Sequence, residues 1–163
     1  MHDQTYREEI LAAYRGEIAG EALFSRLLEL QADAATRHVL ACMLQLETET
    51  KLRLRQVLSR LGLPVAEPES DQQAGRRWAD ALRASHGGAW PAAFEAQLED
   101  YAQRYERLRD RAQPADGAAL DYLAAHERAL QRALQALVRA AGQEAADALT
   151  VLLHYPPALP PTP

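Results

Sequence analysis

The sequence predicts an all-α protein, an antiparallel four-helix bundle with a short crossover helix and an extra C-terminal helix. Composition favours helix: hydrophobic residues make up 48% of the chain and aromatic residues only 6%. The remainder is dominated by Ala, Leu, Arg, Glu and Gln, whose side chains lose little rotamer freedom in a helix. Apolar residues recur at alternating steps of three and four over long stretches, the signature of one buried helical face. Between those stretches stand helix stops: short polar turns, Gly-containing ends and prolines. With 163 residues, one compact domain is expected over 1–155, followed by a Pro-rich tail over 156–163.

The first periodic stretch runs from about 6 to 31 and the second from about 34 to 61, with only Gln31, Ala32 and Asp33 between them. So short a connection forces the two helices to run antiparallel, and Asp33 is placed to cap the second. Gly62-Leu63-Pro64 then ends it, because Gly accepts a left-handed C-cap and Pro cannot continue the helical ladder. A polar crossing, 65–73, leads to a short helix over 74–84 carrying Trp78 and Leu82, stopped by His86-Gly87-Gly88. The third bundle helix is expected from Pro91 to about Ala112, and the fourth from Ala115 or Asp116 to Ala141-Gly142. A shorter helix from Glu144 to about Leu153 precedes prolines 156, 157, 160 and 161, too dense for helix.

A formal charge of -5 and a pI near 5.5 argue against a general phosphate-binding surface, so no nucleic-acid partner is expected. Cys42 stands alone, which excludes a disulfide framework or multi-cysteine zinc site within one chain. The polar stretch Met1 to Glu9 has no secretory pattern, and no apolar run approaches the roughly 20 residues that span a bilayer. A cytoplasmic protein without a membrane partner is the expectation. An Ala- and Leu-rich bundle of this size also leads us to expect a homo-oligomer.

The periodic seams contain the chain's main anomaly. The first helix reads Ile10, Tyr14, Glu17, Glu21, Phe24, Leu28; the second reads Leu40, Met43, Glu47, Thr50, Leu54, Val57, Leu61; the fourth reads Leu120, Leu123, Glu127, Leu130, Leu134, Leu137. Glutamates thus stand where leucines belong. A lone ionised carboxylate in an apolar interior costs several kcal/mol, relieved by pairing or protonation. Residues level across an antiparallel hairpin have numbers with a constant sum, which sets Glu17 nearly level with Glu47 and displaces Glu21 by roughly 6 Å along the axis. Glu127 lies near the middle of its own helix, so the carboxylates are expected to converge at mid-bundle. The third seam, Phe94, Leu98, Tyr101, Tyr105, Leu108, offers phenols, with Glu95 and Glu99 beside it.

The blocks Gly16-Glu17-Ile18-Ala19-Gly20-Glu21-Ala22-Leu23-Phe24, Leu46-Glu47-Thr48-Glu49-Thr50 and Tyr122-Leu123-Ala124-Ala125-His126-Glu127-Arg128-Ala129-Leu130 resemble the ferritin-like superfamily, in particular rubrerythrin-related bundles. The resemblance spans about 8–140. Proteins of that group hold a di-iron or di-manganese pair with one Glu from each of two helices and a Glu-x-x-His from each of the other two. It implies iron or manganese as cofactor and, carried over residue by residue, Glu47, Glu127 and either Glu17 or Glu21 as ligands; His126 beside Glu127 is a further candidate. This chain departs from the pattern where Thr50 and Leu130 occupy the two His positions, and no seam Glu appears in the third helix. An oxygen-rich set of this kind suits Mg, Mn, Ca or iron with waters.

Against the metal site stands a metal-free arrangement in which the glutamates are protonated or paired to Arg and Tyr, in a homodimeric interaction or structural module. A third reading makes Glu127 and His126 a general acid/base pair. His126 is read either as a ligand or as a satisfied interfacial histidine, and His38 and His86 as solvent-facing. The cations Lys51, Arg53, Arg55 and Arg60 are read as a solvated face suited to the helix C-terminal dipole. Tyr101 and Tyr105 are read as core, and the tail as frayed.

Overall fold

The computed structural model describes residues 4–158. Six α-helices and one 3-10 turn form among the described residues, with no strand: α1 (Gln4–Leu30), α2 (Ala34–Leu61), α3 (Glu69–His86), the turn Gly87–Ala89, α4 (Trp90–Asp110), α5 (Gly117–Val138) and α6 (Gly142–Thr150). The all-helical expectation holds for them.

Local chemistry sets the first hairpin. Asp33 caps α2 by accepting from the Thr36 backbone N–H and hydroxyl, both at 2.8 Å, and Gly62 closes it at φ 65° with its N–H on Leu58 and Ser59 carbonyls. The crossover helix is longer than the expected 74–84. Pro68 precedes a first turn carrying Glu69 and Asp71, acids that favour a helix N-terminus, and Arg15 grips Asp71 at 2.8 Å. The C-terminal helix begins earlier and ends sooner than the expected 144–153, at Gly142 and Thr150.

Paired contacts fix the direction of every long helix. Glu21 meets Thr48 while Tyr14 reaches past α2 to Val65, so α1 and α2 are antiparallel. Arg15 meets Asp71 and Arg26 meets Asp80, so α3 climbs beside α1 in the same sense. Gly75 makes this approach close: a Cβ there would lie 2.9 Å from the Ala19 carbonyl carbon. Phe24 packs edge-on to Phe94 at 5.8 Å, and Gly16 lies by Tyr105, so α4 descends against α1. Tyr6 meets Asp116 and Glu17 meets His126, so α5 runs up with α1. The result is two antiparallel hairpins, α1–α2 and α4–α5, joined by a helical crossover that travels the length of the bundle.

The core those four helices surround is split. Leu23, Phe24, Leu46, Phe94 and Leu130 belong to one cluster, and Tyr14, Ile18, Leu54, Tyr105 and Leu123 to the other. The level between them holds Glu17, Glu47, Thr50, His126 and Glu127, all buried.

Arg60 is exposed in the last turn of α2, as expected, but Lys51, Arg53 and Arg55 correct the solvated-face expectation. Lys51 is only 6% exposed and pairs with Glu21 and Glu67. Arg53 lies 4.0 Å over the Tyr122 ring, Arg55 holds Glu67, and Arg60 holds the buried Asp116. The reason is the chain around them: the 62–68 connection and α5 fold back over this part of α2 and bring carboxylates with them. His86 is exposed as expected, whereas His38 is half-buried with its ring 3.8 Å from the Cys42 sulfur. Residues 154 and 155 donate their backbone N–H groups to Glu49, which pins the chain just ahead of the tail. The last five tail residues, 159–163, lie outside the described residues.

Candidate metal centre

The buried level is built by three helices. Glu17 comes from α1, Glu47 from α2, and His126 with Glu127 from α5, all at most 7% exposed. One carboxylate oxygen each from Glu17 and Glu47 and one ring nitrogen of His126 lie within 4.8 Å of one another. His126 Nε2 is 3.2 Å from Glu47 Oε1, and Nδ1 is 3.3 Å from Glu17 Oε2. Adjacent residues on a helix point about 100° apart, yet both His126 and Glu127 are inside, because α5 is covered on several sides by α2, α4 and α6. That breadth of burial is why a position beside the seam became central.

Thr50 completes the histidine's surroundings. Its hydroxyl donates back to the Leu46 carbonyl at 2.8 Å and lies 2.8 Å from His126 Nδ1. A hydroxyl has one proton. With that proton on Leu46, Thr50 Oγ1 accepts from Nδ1–H, and Nε2 faces Glu47 as an acceptor.

Gly20 gives Glu47 its place. A Cβ at Gly20 would fall 2.7 Å from Glu47 Cδ and 3.0 Å from Oε1, so the carboxyl occupies the space that any other residue would fill. One turn earlier, a Cβ at Gly16 would meet the Tyr105 hydroxyl at 3.1 Å. These two glycines line a cavity of about 100 Å³ together with Glu17, Glu47 and Glu127 and with the apolar Phe24, Trp78, Phe94 and Leu98. Tyr105 is buried in its wall, while Tyr101, 39% exposed, is not the core residue its spacing suggested.

Burial drives the electrostatics. It pushes Glu17 well above the ordinary carboxyl range; a proton on both ring nitrogens of His126 would pull the other way, and Glu47 and Glu127 add to the rise. Burial and then Glu127 push Glu47 well up. Glu127 is raised by burial, with His126 opposing. Tyr105 is raised by burial and by the Glu17 and Glu127 charges. Glu17 and Glu47 each bring one carboxylate oxygen to within 4.8 Å of the other, close enough that the two share one electrostatic environment. Glu17 Oε2 and Glu127 Oε2 are buried without a hydrogen-bond partner.

Glu21, expected among the ligands, stands apart. It accepts from Thr48 Oγ1 at 2.6 Å and pairs with Lys51, and it is not in the group of ligand atoms that Glu17, Glu47 and His126 form. Four residues on from Glu17, the helix has turned about 40° past one full revolution, enough to carry Glu21 from the interior to the α1–α2 groove.

Compared with known proteins, the chain matches no family model, no curated sequence and no solved structure. The donors themselves must therefore indicate the chemistry. Two carboxylates and an imidazole form a mixed oxygen and nitrogen set, which is compatible with a first-row divalent ion. Glu127 Oε2 and Glu17 Oε2, the latter with His126 Nδ1 at 3.3 Å but no hydrogen bond, fit such a ligand, since a metal would satisfy buried oxygens that lack one. Among the described residues, no helix is long and apolar enough to cross a membrane.

Proposed function

We propose that this protein is a ferritin-like carboxylate bundle that binds a divalent metal, iron or manganese, through Glu17, Glu47 and His126, with Glu127 alongside. The observation that carries this reading is the convergence of three buried ligand atoms from three helices within 4.8 Å. Fold plan adds support: two antiparallel hairpins with a full-length crossover and the carboxylates at mid-bundle match what the sequence resemblance implies. When bound, such an ion supplies Lewis acidity or redox chemistry at a coordination position left open to a small molecule.

The chain's own residues prepare that position. Glu17 and Glu47 bring ionisable oxygens whose protons a cation displaces, which makes binding pH-dependent. Gly16 and Gly20 leave the cavity unfilled beside them, and Phe24, Trp78, Phe94 and Leu98 give it an apolar lining. Tyr105 sets a phenol next to the carboxylates.

Metal analysis tests the reading. The purified protein, loaded with manganese(II) or iron(II) and freed of excess, should retain about one equivalent or more, and Glu17→Gln with Glu47→Gln should abolish retention. Less than a tenth of an equivalent on the wild-type protein refutes it.

A second reading has its own observation. His126 already lies 3.3 Å from Glu17 and 3.2 Å from Glu47, so the level can exist as a protonated polar layer inside a metal-free interaction module that pairs with a second copy. That reading is favoured if the chain retains no metal and behaves as a dimer.

A further inference from the structure

We infer that the centre takes one ion per chain rather than a pair, and that Thr50 is the positioning residue that turns His126 so that Nε2 is the ligand. The inference rests on the metal reading above and adds its stoichiometry and its geometry.

The donors set the stoichiometry. Two oxygens and one ring nitrogen converge; Glu127 is outside that group, but its buried, unpartnered oxygen belongs to the same cavity lining as Glu17 and Glu47. Those are enough for one ion with room for an outside ligand, and too few to complete two shells. The two places where a paired-metal motif would supply imidazoles are Thr50 and Leu130. Leu130 has no donor atom. Thr50 has one, and its hydroxyl is engaged by Leu46 at 2.8 Å and His126 at 2.8 Å.

The imidazole present enters from a different direction. His126 precedes Glu127 instead of following a glutamate by three residues, so its ring crosses the bundle toward α2. There its two nitrogens meet unlike partners: Nδ1 the Thr50 hydroxyl at 2.8 Å, with Glu17 Oε2 farther off at 3.3 Å, and Nε2 the Glu47 carboxyl at 3.2 Å. A ligating histidine is oriented by what its other nitrogen donates to. Leu46 O, Thr50 Oγ1 and Nδ1–H form a chain in which every proton has an acceptor, leaving the Nε2 lone pair directed at Glu47. The residue at the lost ligand position has thus become the support for the ligand that remains. Thr50 is fully buried, so no solvent can substitute for it.

Three measurements on the full chain decide this. Manganese(II) titration followed by electron paramagnetic resonance should saturate at one ion with no spin coupling. Thr50→Val, which keeps shape and removes the hydroxyl, should weaken manganese affinity about 10- to 100-fold, and Thr50→Ser should restore most of it. Ring ¹⁵N NMR of the metal-free protein should show His126 protonated at Nδ1 in the wild type and in Thr50→Ser. Two coupled ions per chain overturn the stoichiometry alone. Unchanged affinity in Thr50→Val, or an Nδ1 without its proton in the wild type, overturns the role of Thr50. Failure of the wild type to take up manganese, with the Nδ1 proton in place, overturns the metal reading and the stoichiometry with it.

Discussion

Gly20→Ala separates a glycine that merely tolerates a helix from one that holds open a site. In a helix interior Ala is more favourable than Gly by about 1 kcal/mol, so an idle glycine predicts a more stable protein. Here the new Cβ would lie 2.7 Å from Glu47 Cδ and 3.0 Å from Oε1, so the buried carboxyl must leave its place beside His126 and Glu17. Overpacking of this kind costs about 1–3 kcal/mol. The balance is a destabilisation of up to about 2 kcal/mol, a fall of several degrees in Tm at about 2–4 °C per kcal/mol for a chain of this size. Manganese affinity should fall at least about tenfold, because a shift of 1 Å at one ligand disrupts a preorganised shell. Thermal unfolding of the metal-free protein and a manganese titration read the two effects. Gly117→Ala, whose Cβ meets nothing within 4 Å, serves as the control that should not lose stability. A Tm for Gly20→Ala raised by a few degrees with unchanged metal affinity would refute the reasoning.

Two further outcomes follow from the same level and from its neighbour. Glu17 and Glu47 have folded-state pKa values raised above their usual value of 4.5; the unfolded chain releases these protons first, so their stabilisation is complete below about pH 4.5 and is lost as pH rises through the folded values. Denaturant unfolding of the metal-free protein should show stability declining toward alkaline pH, and the Glu17→Gln, Glu47→Gln double variant should flatten that decline and be the more stable protein at neutral pH; an unaltered slope contradicts the assignment. Glu49 behaves oppositely: burial opposes its ionisation, but the N–H groups of His154 and Tyr155, with Gln45 and Tyr122, hold its carboxyl below the ordinary range, so what it contributes is lost as pH falls through its folded value. Glu49→Ala should cost about 1–3 kcal/mol and speed amide exchange at residues 154 and 155, and an exchange pattern equal to the wild type would show that the carboxylate does not pin this segment.

Much of this was legible in the sequence because it depends on period and punctuation. The interruption of leucine seams by Glu17, Glu47 and Glu127 located the buried level, and the constant-sum rule across Asp33 put Glu17 and Glu47 at one height. What could not be read depends on azimuth and on segments folding back. A seam drawn at alternating steps cannot show the 40° that sends Glu21 out to Lys51, nor that the His126 ring is enclosed by Thr50 and Glu47 of α2 and Glu17 of α1. Lys51 reads as surface until Glu67, from the connection after α2, is brought beside it. Thr50 stood in the sequence only as a missing histidine; its role appears once the His126 ring is seen to cross to α2. Gly16 and Gly20 carried a signal that could have been used, since two glycines one turn apart in an otherwise Ala- and Leu-rich helix mark a face that must leave room.

The central claim is that Glu17, Glu47 and His126 share an ion in the dry middle of the bundle. Anomalous diffraction from crystals grown with manganese(II) tests it directly. The account predicts one strong peak within bonding distance of a Glu17 oxygen, a Glu47 oxygen and His126 Nε2; ordered density with no peak there, or with manganese only on surface carboxylates, would contradict it.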